Sequence, residues 1–345
     1  MTHQQLLEGF QIHLIENPLP SRVRGGASEK TVRGYVQDIS IFLRWWKQTK
    51  GDALTVASLQ ADPFQMHRKV LNDFLSWLQT SKKYRASTVL RYAASLRAFC
   101  GYLIHLGLID HDPTMGLILP DRETPEPKGL TDNQRHRFEA VFLAPWINKT
   151  TKRPRAKTVK ENIQAEANLR LIRDKAIAFL MLYAGLRVEE VERLDLEAVT
   201  IRPRTGSVLI RKGKGFKERE VPLPKPARDA LDVWLKERGK LVISNDALFV
   251  NTRRPPHNPL SKRSMQAMIA EAGQRAGLDR LDPPVKLTPH VLRHTAAFML
   301  RQVGVSVEIR AKFLGHSIQT AMRYGSPKAD ELQAAAKALD DFATR

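Results

Sequence analysis

The chain has 345 residues, 42% of them hydrophobic, and a chain of this length and apolar content is expected to form two folded domains rather than one. Lys and Arg number 56 against 36 Asp and Glu, and the formal net charge of +20 indicates a polyanionic partner, with nucleic acid favoured over an anionic membrane surface. The single cysteine, Cys100, excludes an intramolecular disulfide and a multi-cysteine zinc site, and its neighbours indicate that it packs in a helix core.

Nothing in the sequence marks the chain for a membrane or for export. The longest uninterrupted apolar run, residues 176–186, is too short to cross a bilayer. The N-terminus lacks the charged-then-apolar order of a signal peptide. We therefore expect a cytoplasmic protein with no membrane partner.

The first part of the chain is predicted to be helical. Residues 28–46 place apolar side chains at steps of three and four behind Ser28, a suitable N-cap. Residues 87–106 repeat this pattern and leave Arg91 and Arg97 free for solvent or for DNA phosphates. We expect a helical domain over residues 1–118.

A proline-rich segment follows and separates this helical part from the rest. Residues 119–134 contain three prolines and one glycine among charged residues, which is typical of a linker between domains. We place the linker at residues 119–131 and a second domain at residues 132–345.

The second domain is predicted to be mainly helical with one small antiparallel sheet. Residues 168–186 form an apolar helical segment, residues 207–224 alternate and turn as in a hairpin with a basic tip, and residues 248–250 resemble a short strand. The basic segment at residues 149–160 fits either a solvated loop or a loop that faces DNA.

A later helix start brings two polar side chains to one end of a helix. Thr288 is a plausible N-cap and Pro289 fits the first helical position, so His290 and Arg293 share a face of the first turn. That face directs hydrogen-bond donors toward whatever lies beyond the helix start.

Several polar residues stand beside apolar segments without an evident packing role: Arg187, Lys214, His290, Arg293, His316 and Tyr324. Such a donor-rich set suits a phosphodiester, whose negative charge increases in the transition state. The sequence has no convincing carboxylate cluster for magnesium and no Gly-rich phosphate loop of the nucleotide-binding type, so we expect chemistry without metal, ATP or other cofactor. A tyrosine nucleophile would conserve the energy of the broken bond in a covalent ester.

In order along the chain, these residues resemble the active-site pattern of the tyrosine recombinases of the phage-integrase family. That pattern has an early Arg, a Lys on a hairpin, His-x-x-Arg, a later His or Trp, and a Tyr. The catalytic resemblance covers residues 129–345, and the N-terminal part is more loosely similar to the family's helical core-binding domain. The resemblance is to the simple two-domain, Xer/Cre-like type, and it implies a C-shaped clamp of two domains around duplex DNA.

The resemblance implies a role for each matching residue. Tyr324 would attack a DNA phosphate and form a 3′-phosphotyrosyl link, and Lys214 would protonate the departing 5′-hydroxyl. Arg187 and Arg293 would hold the non-bridging oxygens. Lys212 and Lys217 flank Lys214 and stay alternatives for the lysine, although the Gly-Lys-Gly position favours Lys214.

The two histidines of the pattern and their neighbours have supporting roles in the family. His290 would help to form the phenolate or hold the phosphate, and His316 would donate a further hydrogen bond. Glu190 resembles the acidic residue that supports the site, and His294 resembles a histidine packed behind it. His316 and Tyr324 are eight residues apart, one fewer than is usual in the family, which requires a tighter turn between them.

Further basic residues are candidates for contacts to the DNA backbone. Lys212, Lys217 and Arg219 fit either such contacts or a solvated strand face. Residues 330–343 form an apolar helical stripe that either packs on its own domain or, as the resemblance implies, docks on a neighbouring copy. The implied assembly is a homotetramer on two DNA sites, in a bacterium, phage, plasmid or transposon.

Two other functions are weighed against a recombinase. A type IB topoisomerase performs the same chemistry on one duplex, but an oligomerising tail argues against it. A DNA-binding protein without catalysis would have no use for a nucleophile. The favoured function is therefore site-specific recombination through a Holliday junction, for integration and excision or for resolution of a mobile element or replicon.

Overall fold

A computed structural model of the chain describes residues 3–17, 28–121, 129–143, 157–211, 218–253 and 255–322. The chain divides into two compact units, Met1–Pro125 and Glu126–Arg345. Leu119 packs against the core of the first unit and Leu130 is buried in the core of the second. The domain limits at residues 1–118 and 132–345 stay predictions.

The described part of the first unit is helical, as predicted. Its helices are α1 (His3–Glu16), α2 (Glu29–Lys50), α3 (Val56–Ala61), α4 (Arg68–Thr80) and α5 (Ala86–His105), with a 3-10 turn at Pro63–Gln65. The prediction that Ser28 caps α2 is confirmed, since its hydroxyl accepts from the backbone N–H of Thr31 at 3.3 Å. Cys100 is buried in the core of this unit, and burial raises the pKa of its thiol.

The second unit combines helices with one small sheet. Its helices are α6 (Asp132–Ala140), α7 (Lys157–Tyr183), α8 (Val188–Glu192), α9 (Lys225–Arg238), α10 (Lys262–Arg275), α11 (Pro289–Gln302), α12 (Val307–Leu314) and α13 (Ile318–Met322), with a 3-10 turn at Leu278–Arg280. Helix α7 packs against α9 and α11, and its residues 176–182 are buried. No helix in the described ranges is both long and apolar enough to span a membrane.

The sheet consists of β1 (Val199–Ile201), β2 (Gly206–Ile210) and β3 (Arg219–Pro222), paired antiparallel in that order. The prediction of a hairpin at β2 and β3 is confirmed, with Val208 opposite Val221 and Ile210 opposite Arg219. Strand β1 was not predicted. The strand expected at residues 248–250 is wrong, because this segment forms only an isolated bridge between Val250 and Pro259.

The predicted start of α11 is confirmed. The Thr288 hydroxyl accepts from the backbone N–H of Val291 at 3.4 Å, and Pro289 occupies the first turn. One turn into the helix, Arg293 is buried in the second unit, whereas His290 is exposed at the helix end.

Candidate active site

Four segments of the second unit bring charged side chains together around Glu190. The start of α8 supplies Arg187 and Glu190, β3 supplies Arg219, and α11 supplies Arg293. The turn after α12 adds His316, which contacts Arg293. The structure therefore brings five of the predicted site residues to one place: Arg187, Glu190, Arg219, Arg293 and His316.

The carboxylate of Glu190 is saturated with hydrogen bonds. Oε1 accepts from Nη1 of Arg187 and Nη1 of Arg219, and Oε2 accepts from the backbone N–H of Arg187 and Nη2 of Arg219, all at 2.9 Å. Nη1 of Arg293 lies 3.9 Å from Oε2. A carboxylate has about four acceptor positions, so this one has no further capacity.

These contacts keep Glu190 ionised. Its burial would raise the pKa, but the hydrogen bonds from Arg219 and from the backbone of Arg187, together with the charges of both arginines, lower it to about 2. The side chain is only 11% exposed, so the three guanidinium groups around it share one counter-charge that is largely shielded from solvent.

Arg187 is fixed at both ends of its guanidinium group. It caps α8 and pairs with Glu190 through Nη1, while Nη2 donates to the carbonyl oxygen of Gly315 at 2.9 Å. Its side chain remains 32% exposed. Arg187 is thus oriented by the protein and still open to a ligand.

Arg293 is the buried arginine of the site. Nη1 donates to the carbonyl oxygen of Gly185 at 2.5 Å, and Nη2 donates to the carbonyl oxygen of Leu314. Nε donates to Nε2 of His316 at 3.2 Å. One guanidinium group therefore joins the turn before α8 to the turn after α12.

His316 is neutral in this environment. Burial and the positive charges of Arg293, Arg187 and Arg219 lower its pKa to about 3, and the neighbouring His294 acts in the same direction. Nε2 is an acceptor toward Arg293, so the proton of the neutral ring is assigned to Nδ1. The hydrogen bond from His316 to DNA, which the resemblance implies, stays a prediction.

The other two predicted histidines lie on α11. His290 is exposed, and its ring makes no hydrogen bond within the described ranges. His294 is half-buried, and its influence on the pKa of His316 places it beside the site. The contact of His290 with a phosphate stays a prediction.

Arg219 requires a correction. We expected it to contact the DNA backbone or to lie on a solvated strand face, but its side chain is 12% exposed and paired with Glu190. The signal was present in the sequence, because Arg219, Val221 and Leu223 alternate with polar or turn residues, and Val221 and Leu223 are buried. Arg219 therefore points into the unit along with them.

Arg91 requires a second correction. We expected it to be free, but its guanidinium group is hydrogen-bonded to Asp38, which is 2% exposed and also accepts from the Ser95 hydroxyl at 2.7 Å. Arg97, on the same helix, is exposed and has no ion pair within the described ranges. Arg97 thus stays a candidate for DNA contact. Arg91 is paired with Asp38 and therefore has a structural role, but its side chain is 48% exposed, and its contact with DNA stays a prediction.

Replacing these two arginines should show that Arg91, and not Arg97, stabilises the fold. Arg91→Met leaves a buried carboxylate with only Ser95 as side-chain donor, so we expect the free energy of unfolding to fall by about 1–3 kcal/mol. Arg97→Met should change it by about 0.5 kcal/mol at most. Urea unfolding of the full chain measures both, and equal losses in the two variants would contradict this assignment of Asp38.

The remaining predicted site residues lie outside the described residues: Lys212, Lys214, Lys217, Tyr324 and the segment 330–343. Strand β2 ends at Ile210 and strand β3 begins at Arg219, on either side of the predicted lysine turn. The roles of these undescribed site residues stay predictions. Within the described ranges, no three His, Cys, Asp or Glu side chains are grouped so that they could hold a metal ion.

The described cluster is suited to binding an anion. Three guanidinium groups surround one carboxylate and a neutral histidine, which leaves an excess of positive charge at the exposed part of Arg187. Guanidinium groups stay protonated at any working pH and match the oxygens of a phosphate. The geometry supports stabilisation of charge on a phosphoryl group.

Comparison with known proteins agrees with this geometry. Residues 155–331 match the model described as the phage integrase family, and residues 21–106 match the phage integrase N-terminal SAM-like domain. The tyrosine recombinase XerD of Xanthomonas axonopodis pv. citri is 30% identical over 301 residues, covering 85% of each chain. XerD of Pseudomonas aeruginosa is 28% identical over 312 residues, covering 88% of this chain and 90% of the relative.

Solved structures show the same fold. The XerH site-specific recombinase bound to palindromic difH substrate has a TM-score of 0.63 at 17% identity, covering 98% of this chain and 96% of that one. A lambda integrase dimer bound to a COC′ core site has a TM-score of 0.61 at 17% identity, covering 95% and 97%. With its matched family models and relatives over most of its length, the chain belongs to the phage integrase family of tyrosine recombinases.

Proposed function

We propose that the protein is a site-specific DNA recombinase that cleaves and rejoins DNA strands through a 3′-phosphotyrosyl intermediate, without metal or ATP. The observation that carries the proposal is the arginine cluster around Glu190, in a chain of this family. A buried carboxylate that orients guanidinium groups has a clear use if an anion with increasing charge has to be held in front of them.

The described residues would act on the scissile phosphate. Arg187 and Arg293 would bind its non-bridging oxygens and stabilise the charge that increases as phosphorus becomes five-coordinate. Arg187 is held by Glu190 and Gly315, and Arg293 by Gly185 and Leu314, so both orientations exist before DNA binds. Less rearrangement is then needed in the transition state.

Tyr324 and Lys214, which lie outside the described ranges, would carry the bond exchange together with His290. The Tyr324 phenol would lose its proton with help from His290, and its oxygen would attack phosphorus. The bond from phosphorus to the 5′-oxygen would break, and that oxygen would take a proton from Lys214. Attack by a 5′-hydroxyl from another strand reverses these steps and completes the exchange.

The proposed substrate is a pair of double-stranded recombination sites. Strand exchange in pairs would pass through a Holliday junction within a homotetramer, for which residues 330–343 are the proposed docking helix. Arg97, Lys212 and Lys217 would contact DNA phosphates, and the affinity would then fall steeply with salt. The similar proteins include XerD recombinases and an integrase of the Tn1549 transposon in complex with transposon end DNA, so we propose a role in resolution or in element mobility, in the cytoplasm of a bacterium.

Trapping of the covalent intermediate tests this proposal. We expect the wild type to form a protein–DNA adduct on a suicide substrate that is nicked close to the cleavage site and taken from the DNA flanking its gene. Tyr324→Phe should abolish the adduct, because phenylalanine has no nucleophilic oxygen. Tyr84→Phe removes the hydroxyl of an exposed tyrosine in the first unit and should leave the adduct unchanged. Denaturing gels measure all three.

The other outcomes separate the alternative functions. Specific DNA binding without an adduct in wild type would support a DNA-binding protein without catalysis. An adduct that survives in Tyr324→Phe would mean that another residue is the nucleophile. Relaxation of a plasmid with a single site, without recombination of paired sites, would support a type IB topoisomerase.

A further inference from the structure

Arg219 contacts the groups that hold the active-site arginine in place, and most of its own side chain is shielded from solvent. It is the first residue of β3 and lies opposite Ile210 in the ladder. Its side chain lies on the same sheet face as Val221, which is fully buried. Only 12% of the side chain is exposed, so Arg219 is poorly placed to bind DNA itself.

The pair between Arg219 and Glu190 is bidentate. Nη1 meets Oε1 and Nη2 meets Oε2, both at 2.9 Å. A planar fork of two donors fixes the plane of a carboxylate, which a single ammonium group cannot do. Arg219 therefore determines the rotation of the Glu190 carboxylate.

That rotation decides where Arg187 points. The same two oxygens of Glu190 receive Nη1 and the backbone N–H of Arg187. If the carboxylate turned, these two bonds could not both keep their geometry. The orientation of Arg187 toward a phosphate thus depends on Arg219 through Glu190.

Arg219 also lies against the second support of Arg187. A Cβ atom built on Gly315 would be 2.8 Å from both Cζ and Nη1 of Arg219, so the turn after α12 lies directly on this guanidinium group. The carbonyl oxygen of Gly315 accepts from Nη2 of Arg187. Both anchors of Arg187, Glu190 and Gly315, are in contact with Arg219.

We propose that Arg219 is a positioning residue for DNA cleavage, which orients Arg187 toward the scissile phosphate by fixing Glu190 and supporting the turn at Gly315. This inference rests on the proposed recombinase function. It replaces the expected contact between Arg219 and the DNA backbone. Replacing Arg219 should therefore impair the stabilisation of charge on the phosphate. It should not impair protonation of the leaving oxygen.

The test compares adduct formation on three forms of the suicide substrate. The first has the normal phosphate, and the second has a methylphosphonate at the scissile position, which lacks one negative charge and needs less stabilisation from Arg187. The third has sulfur in place of the 5′-bridging oxygen, a leaving group that needs no proton. Rates are measured for the full-length wild type, Arg219→Met, Arg219→Lys and Arg187→Met.

We expect Arg219→Met to slow adduct formation on the normal phosphate by about 100-fold, as expected for a misplaced binding group. On the methylphosphonate the loss should shrink to a few-fold, and Arg187→Met should follow the same pattern. Arg219→Lys keeps the charge but not the fork, and should remain slower than the wild type on the normal phosphate. The ratio between substrates is independent of the folded fraction of a variant, so instability of Arg219→Met does not obscure the result.

Three results would overturn the inference. Equal losses on phosphate and methylphosphonate would indicate a general structural role. Recovery on the sulfur substrate would place the effect at proton donation to the leaving group. Full activity of Arg219→Lys would mean that charge alone matters. Failure of the wild type to form any adduct would instead contradict the proposed function.

Discussion

Replacing Glu190 by glutamine is expected to lower the free energy of unfolding by about 3–5 kcal/mol, the usual cost of removing one partner from a buried ion pair. Each oxygen of Glu190 accepts from two donors. Whichever of the two oxygens is replaced by the amide NH2 group, that group faces two N–H donors and can accept from neither of them. The three surrounding arginines also lose their shared counter-charge. Adduct formation should also fall, because Arg187 loses one of the two groups that hold it.

Glu189 provides the matched control for this change. It is the adjacent residue on α8, is 42% exposed, and lies 3.6 Å from the Lys262 ammonium group. An exposed pair of this kind contributes about 1 kcal/mol at most, so Glu189→Gln should be nearly neutral. Urea unfolding of the full chain measures both variants, and similar small losses in the two would contradict the description of Glu190 as a buried anchor.

The difference between wild type and Glu190→Gln should also depend on pH. The folded pKa of Glu190 is about 2, below its ordinary value of 4.5, so its contribution to stability is fully present above pH 4.5. It is lost as pH falls toward 2, because the unfolded state then binds a proton that the folded state does not. The gap between the two proteins should therefore narrow over that range.

Local patterns in the sequence were sufficient for most of the fold. The helices α2 and α5 follow from regular apolar spacing, and Ser28 and Thr288 mark helix starts because their side chains can accept from nearby backbone N–H groups. The hairpin follows from alternation around a Gly-containing turn. Strand β1 has only three residues, which is too few to show an alternating pattern.

Contacts between distant residues could not be obtained in this way. The pair of Arg91 with Asp38 joins two helices of the first unit, and the pair of Arg219 with Glu190 joins a strand to a short helix. A single sequence gives the charge of each residue but does not show which oppositely charged residue pairs with it. Arg219 was therefore taken as a surface residue, although the alternation around Val221 indicated that it points inward. Arg91 is 48% exposed, and what the sequence did not show is its pair with Asp38.

Replacing Gly315 by alanine should reduce adduct formation by about 100-fold and lower the folding stability by about 3 kcal/mol. Gly315 ends α12 with φ +61°, where any other residue is strained by about 1–3 kcal/mol. A Cβ atom there would also be 2.8 Å from Cζ and Nη1 of Arg219. Arg219 cannot swing away without breaking two bonds to Glu190, so the turn has to move and displace the anchor of Arg187.

Gly304 separates the two causes of this loss. It also has a positive φ, +77°, but a Cβ atom built on it has no heavy atom within 4 Å. Gly304→Ala should therefore cost only the backbone strain, about 1–2 kcal/mol, and leave adduct formation unchanged. If Gly315→Ala lowers neither folding stability nor adduct formation by more than Gly304→Ala does, the contact between Gly315 and Arg219 contributes to neither.

A double-mutant cycle measures the coupling between Gly315 and Arg219 directly. In an Arg219→Met background the guanidinium group that the new Cβ would meet is absent, so Gly315→Ala should cost less than in the wild type. Gly304→Ala should cost the same in both backgrounds, because it touches nothing that Arg219 holds. Coupling at Gly315 but not at Gly304 would mean that the turn after α12 and the start of α8 are positioned together, through Arg219.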